Sequence, residues 1–266
     1  DAIGDNDIRR AIEEGFPNDL PEERALLHSI PTGYRIDGSN GINDPRGMFG
    51  HRLGVKINLI TAMESAVRNL SVCIERCHLD VHAMVESAFA AGLASLVDDE
   101  MQLGATLIDI GGGTTSIAVF TEGNVYHTNS IPIGGQHVTN DIARGLSTPI
   151  THAERMKTLY GSALASQTDD HELIDVPSVG EDERARANHV PRSMLTGIIK
   201  PRMEEIFELV RTRLETSGFD RLAGRRVVLT GGASQLQGTR ELAADILGKQ
   251  VRLGRPIRIR GLAEAT

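Results

Sequence analysis

The first third of the chain alternates apolar and polar positions in a way that predicts two strands followed by a helix. Residues 28–38 and 51–60 have the pattern of strands, and the Gly- and Asn-rich stretch between them is typical of a turn. Thr61 with Glu64 three residues later has the spacing of a capping box, which predicts a helix start. Apolar residues then recur at helical spacing: Met63, Val67, Leu70, Ile74 and Cys77. We therefore expect a small sheet with one helix across it.

The middle of the chain has a different pattern, in which buried strands precede helices. Residues 106–110 and 117–120 are short apolar runs on either side of three glycines, which predicts a hairpin of strands buried on both faces. Helical patterns follow at 137–146 and 151–164, whereas the polar segment 167–190 is expected to hold at most one short strand. This order of elements predicts an α/β fold.

A long helical pattern over residues 194–214 precedes a final strand and helix. Pro201 is expected to kink or restart this helix because proline cannot donate the next hydrogen bond, and Gly218 is placed to end it. Residues 226–230 predict a strand, and the helix that follows a glycine turn is expected to have Thr239 as its cap.

Composition and charge narrow the classes of function. The 266 residues, 40% hydrophobic and 24% charged, can bury a sizeable core and indicate two compact units. The net charge of -8 offers no basic surface for a nucleic-acid backbone, so we expect no nucleic-acid partner. No apolar run approaches the roughly 20 residues that span a bilayer, and the first residues are acidic rather than the basic start of a secretory signal.

The two cysteines, Cys73 and Cys77, lie one helical turn apart. Because no second pair of ligands completes a zinc site, we interpret both as small side chains that face the core rather than as a metal or redox site. This interpretation predicts a reduced, cytoplasmic chain.

The first chemical pattern is Asp109-Ile-Gly-Gly-Gly-Thr-Thr. Three glycines let the backbone approach phosphate oxygens and offer unobstructed N–H donors, while Asp109 at the strand end can hold a metal through water. Two other interpretations stay open. Gly111 and Gly113 also begin a dinucleotide fingerprint, although that pattern needs a helix where this chain continues as a strand, and the glycines could form an ordinary hairpin turn.

Four segments in this order resemble the actin, Hsp70 and sugar-kinase superfamily. LIDIGGGTTSIAVF is similar to its second phosphate loop, and VVLTGGASQLQG to its adenosine loop. VESAFAAGLASL is similar to the first connecting helix between the lobes, with Glu86 where the superfamily orients the attacking water, and AERMK to the helix that contacts the ribose. The resemblance implies an actin-like (ribonuclease H-like) ATPase fold with ATP and Mg²⁺ as cofactors.

The resemblance also assigns the site residues. By this resemblance, Glu86 and Asp109 would be the catalytic residues, and Asp109 would hold Mg²⁺ through water. The nucleotide-binding residues are Gly111, Gly112, Gly113, Thr114, Thr115, Glu154, Lys157, Gly231, Gly232, Ala233 and Ser234.

Within the superfamily, residues 28–53 resemble the inserted subdomain of the FtsA family, and further similarity to this family extends over nearly the whole chain. This resemblance implies an actin-like protein that polymerises, ties the FtsZ ring to the inner membrane and recruits later division proteins. Its location would be cytoplasmic and peripheral, at the division site. The family's first phosphate loop and its C-terminal amphipathic membrane helix have no counterpart here, and the chain opens without methionine, so we expect a fragment.

The resemblance divides the chain into six parts. They are a remnant of the first actin-like subdomain (1–24), the inserted subdomain for partner and subunit contacts (25–82), an interlobe connecting helix (83–100), a second-lobe core with the phosphate loop (101–150), a smaller outer subdomain (151–197) and a second-lobe core with the adenosine loop (198–266).

Departures from the superfamily pattern limit the expected chemistry. Ser116 stands where many relatives have aspartate and Ser87 where many have proline, so we expect at most a slow ATPase. Glu86 could instead cap a helix or form a salt bridge. Alternatives from other classes are a pilus-assembly protein of the same plan, an Hsp70-type ATPase and a metabolic kinase.

Three further assignments have simpler alternatives. Glu154 and Lys157 could form only a solvated helix pair, and Gly231 with Gly232 only a strand-to-helix turn. The arginines of residues 252–260 fit a solvated edge strand better than a lipid-binding patch.

Overall fold

A computed structural model of the protein describes residues 2–15, 20–179 and 188–257. The helices in these ranges are α1 (Asp5–Glu14), α2 (Glu64–Glu75), α3 (Ser87–Ser95), α4 (Asp98–Leu103), α5 (Gly135–Gly145), α6 (Ile150–Tyr160), α7 (Arg192–Ser217) and α8 (Thr239–Leu247). The strands are β1 (Arg24–Ile36), β2 (Ser39–Ile42), β3 (Leu53–Met63), β4 (Ala105–Ile110), β5 (Thr115–Thr121), β6 (Asn124–Ile131), β7 (Leu173–Val176), β8 (Asn188–Pro191), β9 (Arg226–Thr230) and β10 (Gln250–Leu253).

The first unit is a three-stranded antiparallel sheet in the order β2-β1-β3. Strands β1 and β3 correspond to the two predicted strands, and β2 lies in the stretch that was predicted to be a turn. Helix α1 packs against β3, and Ile3, Ile8 and Ile36 form a small core between them. Residues 2–15 therefore share one core with the sheet, where the sequence led us to expect a boundary near residue 24.

The predicted helix start at Thr61 is wrong. Thr61 lies in β3 opposite Leu26, and its hydroxyl accepts a hydrogen bond from Arg24 Nε at 3.0 Å. The helix begins at Glu64 with Met63 as its N-cap. Strand pairing to β1 continues past the local capping pattern, and this long-range pairing decides where the helix begins.

The predicted core face of α2 is also wrong. No residue of α2 is buried, and Cys73 and Cys77 are exposed, as is Leu70. The side chains of α2 that are partly buried belong to Val67, Ser71 and Ile74. The helix thus rests on its sheet through a narrower stripe than its apolar residues suggest.

The second unit is a five-stranded sheet in the order β10-β9-β4-β5-β6. Strand β4 pairs with β9 in parallel and with β5 antiparallel, which confirms the predicted glycine hairpin. Side chains of β4 point alternately into two cores. Ile108 and Ile110 pack in the core that includes residues of α5, α7 and α8, whereas Leu107 packs with residues of α3 and α4.

The connection between the units is not one helix. The helix expected over residues 83–100 is two helices, α3 and α4, separated by Leu96 and Val97. Both are extended, and Leu96, at φ -85° and ψ 140°, is fully buried. Burial of this side chain against the sheet holds the backbone in the extended conformation at the break.

The outer segment 167–190 contains two short strands, β7 and β8, which pair with each other, where at most one was predicted. Residues 180–187 of this segment lie outside the described residues.

Helix α7 runs unbroken through Pro201, so the predicted restart is wrong. Pro201 and Gly197 one turn earlier are both exposed, so water can bind the carbonyl that loses its helical partner. Gly218 ends α7 at φ 74°, as predicted.

Thr239 does not cap α8. Gly238 takes the cap position in the left-handed conformation at φ 78°, and Thr239 is the first helical residue, with its hydroxyl buried and unpaired. Glycine suits this position because a Cβ there would lie 2.9 Å from Leu164.

None of the helices in the described ranges combines the length and apolar character that crossing a membrane needs.

Candidate functional site

The loop between β4 and β5 is held by its carbonyl groups. The N–H groups of Gly135 and Gln136, in the first turn of α5, donate to the carbonyls of Gly111 (2.9 Å) and Gly112 (2.8 Å). The approach is close, since a Cβ on Gly134 would lie 2.6 Å from the Gly111 oxygen. Hydrogen bonds from the helix therefore fix which way the loop carbonyls face.

The opposite side of the same loop offers free donors. Within the described part of the chain, no hydrogen bond occupies the N–H groups of Gly112 and Gly113. A Cβ on either glycine would meet nothing within 4 Å. The loop therefore combines open space with unpaired N–H groups, which is the arrangement that binds anions.

Lys157 connects α6 to the start of α5. Its ammonium donates to Glu154 Oε2 (2.7 Å), Thr139 Oγ1 (2.8 Å) and the Gly135 carbonyl (3.1 Å). The Lys157 side chain is only 14% exposed. This is not the solvated helix pair that the sequence left open, because the ammonium is buried against another helix.

Glu154 completes this group. Thr139 Oγ1 donates to Glu154 Oε2 at 2.5 Å. Burial works to raise the pKa of Glu154, but the hydrogen bonds from Lys157 and Thr139 and the charge of Lys157 outweigh it, so the pKa is lowered. The carboxylate thus stays ionised at the mouth of α5, where it can accept hydrogen bonds from hydroxyl groups.

Asp109 lies at the end of β4, beside Thr230 of β9. It is half-buried, and burial raises the pKa of its carboxyl group. A Cβ on Gly231 would lie 2.4 Å from Asp109 Oδ1, so the adjacent loop can pass only because residue 231 is glycine. Gly231 also has φ 85°, a conformation that favours glycine.

The loop after β9 continues as a short 3₁₀ helix from Gly232 to Gln235. Ser234 is buried, and its hydroxyl donates to the Gly231 carbonyl at 2.7 Å, which holds the turn closed. Gly232 has open space where a Cβ would project. The loop therefore has the same combination of a fixed backbone and a free face as the loop after β4.

These parts surround one cavity of about 440 Å³. It brings together six of the residues expected from sequence, namely Gly111, Gly112, Glu154, Lys157, Gly232 and Ala233. The other expected residues of the two loops flank this lining, and Thr115 is buried with its hydroxyl donating to the Ile133 carbonyl.

The lining also contains residues that the sequence did not indicate. Examples are Gln136 and Met203, whereas Leu236 and Gln237 lie in the segment that resembles the adenosine loop but were not assigned to the site. Gly135 could have been predicted from sequence, because it stands at the start of a predicted helix and helix N-termini are suited to binding anions. The others are brought to the cavity by tertiary packing.

Glu86 is the N-cap of α3. Its carboxylate accepts hydrogen bonds from the N–H groups of Ala88 (3.1 Å) and Phe89 (2.6 Å), and its own N–H donates to His28 Nε2 (3.0 Å). It does not line the cavity. The helix cap left open by the sequence is present, and the water-orienting role stays a prediction.

The fit of a metal ion depends on Asp109. The described residues contain no cluster of three His, Cys, Asp or Glu side chains that could hold a metal ion directly. Asp109 is partly desolvated and accepts no hydrogen bond from the described residues, so its carboxylate can accept one from a water bound to a cation. These features fit a Mg²⁺ ion held mainly by phosphate oxygens and water.

The edge strand that was predicted for residues 252–260 is present in part. Strand β10 lies at the edge of the five-stranded sheet. Arg252 does not face solvent alone, since its guanidinium bonds Glu100 at 2.5 and 2.7 Å. Residues 258–266, with the remaining arginines of this segment, lie outside the described residues.

Comparison with known proteins matches both units. A family model described as "Cell division protein FtsA" matches residues 106–266, and one described as "SHS2 domain inserted in FTSA" matches residues 1–61. The cell-division protein FtsA of Rhizobium meliloti is 49% identical over 98% of this chain and 59% of its own length. That of Escherichia coli is 35% identical over 98% of this chain and 63% of its own length. The chain thus spans about three fifths of the length of these relatives.

Solved structures show the fold. MreB5 of Spiroplasma citri bound to ADP has a TM-score of 0.60 at 19% identity, covering 73% of this chain and 61% of that one. The PilM–PilN type IV pilus biogenesis complex has a TM-score of 0.61 at 19% identity, covering 93% of this chain and 60% of that one. The expected actin-like fold with an inserted subdomain is confirmed.

Proposed function

Because this chain belongs to the FtsA family of cell-division proteins, we propose that it is an ATP-binding, actin-like subunit that polymerises, tethers the FtsZ ring to the inner membrane and recruits later division proteins. One observation carries the nucleotide part of this proposal. Six residues expected from separate segments line a single cavity of about 440 Å³, within the range of roughly 300–1,000 Å³ that is usual for small-molecule sites.

ATP fits this cavity by its chemistry. The phosphates would accept hydrogen bonds from the N–H groups of Gly112 and Gly113, near the positive end of the α5 dipole. The ionised Glu154 would accept from a ribose hydroxyl, and Gly232 and Ala233 would contact the adenine. Two structures of MreB5 from Spiroplasma citri, described as bound to ADP and to AMPPNP, share this fold and support a nucleotide here.

Mg²⁺ would be held through water by Asp109. The ion would supply positive charge to the phosphate oxygens. The role of the chain is to keep the Asp109 carboxylate beside both glycine loops, where Gly231 leaves it room.

Hydrolysis of ATP would be slow at most. Both oxygens of Glu86 already accept hydrogen bonds from the first turn of α3, so this carboxylate is not free to activate water without breaking a helix cap. Ser87 and Ser116 replace a proline and an aspartate of many relatives, and their hydroxyl oxygens lie 3.4 Å apart. Bound nucleotide would then act by selecting the subunit conformation that fits the next subunit.

The division role follows from family membership, which favours it over the pilus-assembly alternative. The inserted subdomain would provide subunit and partner contacts, with FtsZ and later division proteins as partners. A C-terminal amphipathic helix would place the protein on the cytoplasmic face of the inner membrane at the division site.

The test is ATP binding by the full-length protein, measured by calorimetry. Gly112→Leu should lower ATP affinity at least about tenfold, because the side chain enters the space assigned to phosphate without touching other residues. Gly197→Leu is the matched control, since a Cβ there also meets nothing within 4 Å and the site is exposed on α7. Recruitment of FtsZ filaments to anionic vesicles, compared in the same variants, tests the tethering role. Unchanged ATP affinity in Gly112→Leu would contradict the proposed site.

A further inference from the structure

Arg192, the first residue of α7, joins three segments near the cavity. Its Nε donates to the Tyr160 carbonyl (2.8 Å), Nη1 to Glu172 Oε2 (2.9 Å) and Nη2 to Gln237 Oε1 (2.9 Å). The Arg192 side chain is 17% exposed, and buried Asp169 lies 3.8 Å from Nη1. The guanidinium is therefore held from several sides in one orientation.

Gln237 lines the cavity together with Gly112 and Lys157. An arginine side chain has only donors, so the atom of the Gln237 amide that faces Arg192 must be the oxygen. The amide nitrogen Nε2 then has to face elsewhere, and it donates to no atom in the described part of the chain. Arg192 thus engages the amide oxygen of Gln237, and both N–H donors of Nε2 are left without a protein partner in the described residues.

The backbone of Gln237 is fixed as well. The Ala163 N–H donates to the Gln237 carbonyl at 2.8 Å, and Ser162 and Gln237 form a parallel bridge. Leu236 and Leu159 line the cavity beside it and add apolar surface that suits the face of an aromatic ring. Gln237 is therefore a polar group set in a partly apolar wall, far along the chain from the phosphate loop.

We propose that Gln237 is a specificity-determining residue, whose Nε2 donates a hydrogen bond to a ring nitrogen of the purine base, and that Arg192 is the positioning residue that orients its amide. This inference rests on the proposed nucleotide site and deepens it. Because Nε2 can only donate, a base with an acceptor at that position is favoured and one with a donor there is rejected. Adenine has such acceptors at N1, N3 and N7.

The experiment measures, by calorimetry on the full-length protein, the affinities for ATP and for its 1-deaza, 3-deaza and 7-deaza analogues. Each analogue replaces one ring acceptor by C–H. The wild type should bind one analogue about 3- to 10-fold more weakly than ATP, the range expected for one hydrogen bond. Gln237→Leu should bind ATP and that analogue equally, because the donor is gone.

Three further variants separate positioning from folding. Gln237→Glu keeps an acceptor for Arg192 but replaces Nε2 by an oxygen, so it should bind ATP more weakly than Gln237→Leu. Arg192→Lys should reduce the discrimination between ATP and the analogue, and should not change it further when combined with Gln237→Leu. Gln250→Leu, at an exposed position on the edge strand, is the control and should match the wild type.

The outcomes distinguish this inference from the function on which it rests. A wild type that does not bind ATP would overturn the proposed function and this inference with it. A wild type that binds ATP and all three analogues equally, with Gln237→Leu indistinguishable from it, would overturn the inference alone. Discrimination that survives in Gln237→Leu would also overturn it.

Discussion

The carboxylate of Asp109 shows how single residues shape the site. It is half-buried beside the two glycine loops, with Gly231 leaving the space that its oxygen fills. Burial raises the pKa of Asp109 because a charged carboxylate is less well solvated there than in water. Because the pKa of Asp109 is raised on folding, protonation of its carboxyl group favours the folded state over the unfolded state. Stability from this group is therefore present at low pH and is lost as the pH rises through the folded-state pKa.

Asp109→Asn tests both consequences. Without nucleotide at pH 7, the melting temperature of the variant should equal or exceed that of the wild type, because the desolvated charge is removed while the shape is kept. The affinity for Mg²⁺ in the presence of ATP should fall about 10- to 100-fold, as is usual when a group that orients metal-bound water is lost. Calorimetric titration with Mg²⁺ measures this, and Asp245→Asn, at an exposed position, is the control. A variant that is less stable yet binds Mg²⁺ normally would assign Asp109 a structural role.

Helices and strands were predictable from sequence where local pattern decides them. The glycine hairpin of β4 and β5 and the end of α7 at Gly218 follow from backbone preferences of neighbouring residues. The prediction of where α2 begins was wrong because Thr61 pairs with Leu26 in the sheet. This contact joins distant segments, and no local sequence pattern indicates it.

The candidate site divides in the same way. The loop after β4 was predicted from its three glycines, whereas the loop after β9 and the Glu154–Lys157 pair were assigned by resemblance to the superfamily. Gln237 lies in the segment that resembles the adenosine loop but was not assigned to the site. Arg192 was missed because its contact with Gln237 joins residues 45 apart, and alone it is an ordinary polar residue. Glu86 was assigned a role by resemblance, and its local position as a helix cap was equally visible.

The contact between α4 and β10 shows how elements are joined across the sheet edge. Glu100 accepts two hydrogen bonds from Arg252, and Arg252 also donates to the Ser95 carbonyl at 2.9 Å. The Glu100 side chain is 11% exposed. The hydrogen bond from Arg252, opposed by burial and helped by the Val97 N–H, lowers the pKa of Glu100.

Glu100→Gln should destabilise the fold by about 2 kcal/mol at pH 7, since a charged hydrogen bond from the Arg252 guanidinium to a poorly exposed carboxylate is lost. A lowered pKa contributes stability that is present above the unfolded-state value and is lost as the pH falls through the folded-state value. The difference between wild type and variant should therefore shrink on acidification below about pH 4.5. Denaturant unfolding of both proteins between pH 7 and acidic pH measures this difference in stability.

The exposed Arg240–Glu241 pair supplies the control, Glu241→Gln, which should change stability by less than about 1 kcal/mol. A pH-independent loss in Glu100→Gln would argue for packing rather than charge.

At the scale of the whole molecule, the inserted sheet, β2-β1-β3, docks on the second unit through apolar packing and a few polar contacts to strand β6. Ile60 of β3 is buried in the same core as Val125. Asn58 Nδ2 donates to the Val125 carbonyl at 3.0 Å. The Tyr126 hydroxyl donates to Glu122 at 2.7 Å and lies 3.3 Å from the Thr32 carbonyl, and Lys56 lies over its ring at 4.9 Å. Burial, with the hydrogen bond and charge of Glu122, raises the pKa of Tyr126 to about 12. None of these residues lines the cavity that we propose for the nucleotide.

Tyr126→Phe should therefore loosen the docking of the inserted sheet while leaving the nucleotide site intact. The ring and its contact with Lys56 are kept, but Glu122 and the Thr32 carbonyl lose their shared donor, at a cost of about 1 kcal/mol. Hydrogen exchange should become faster in β1 and β3, because strands freed from a neighbour open more often. ATP affinity should stay within twofold of the wild type, about 0.4 kcal/mol.

Tyr34→Phe is the matched control. Tyr34 lines the same groove as Tyr126, but its hydroxyl makes no hydrogen bond in the described residues, so hydrogen exchange in this variant should match the wild type. Faster exchange together with a large loss of ATP affinity would show that the inserted sheet and the nucleotide site are energetically coupled, and the division of labour between partner contact and nucleotide binding would then be wrong.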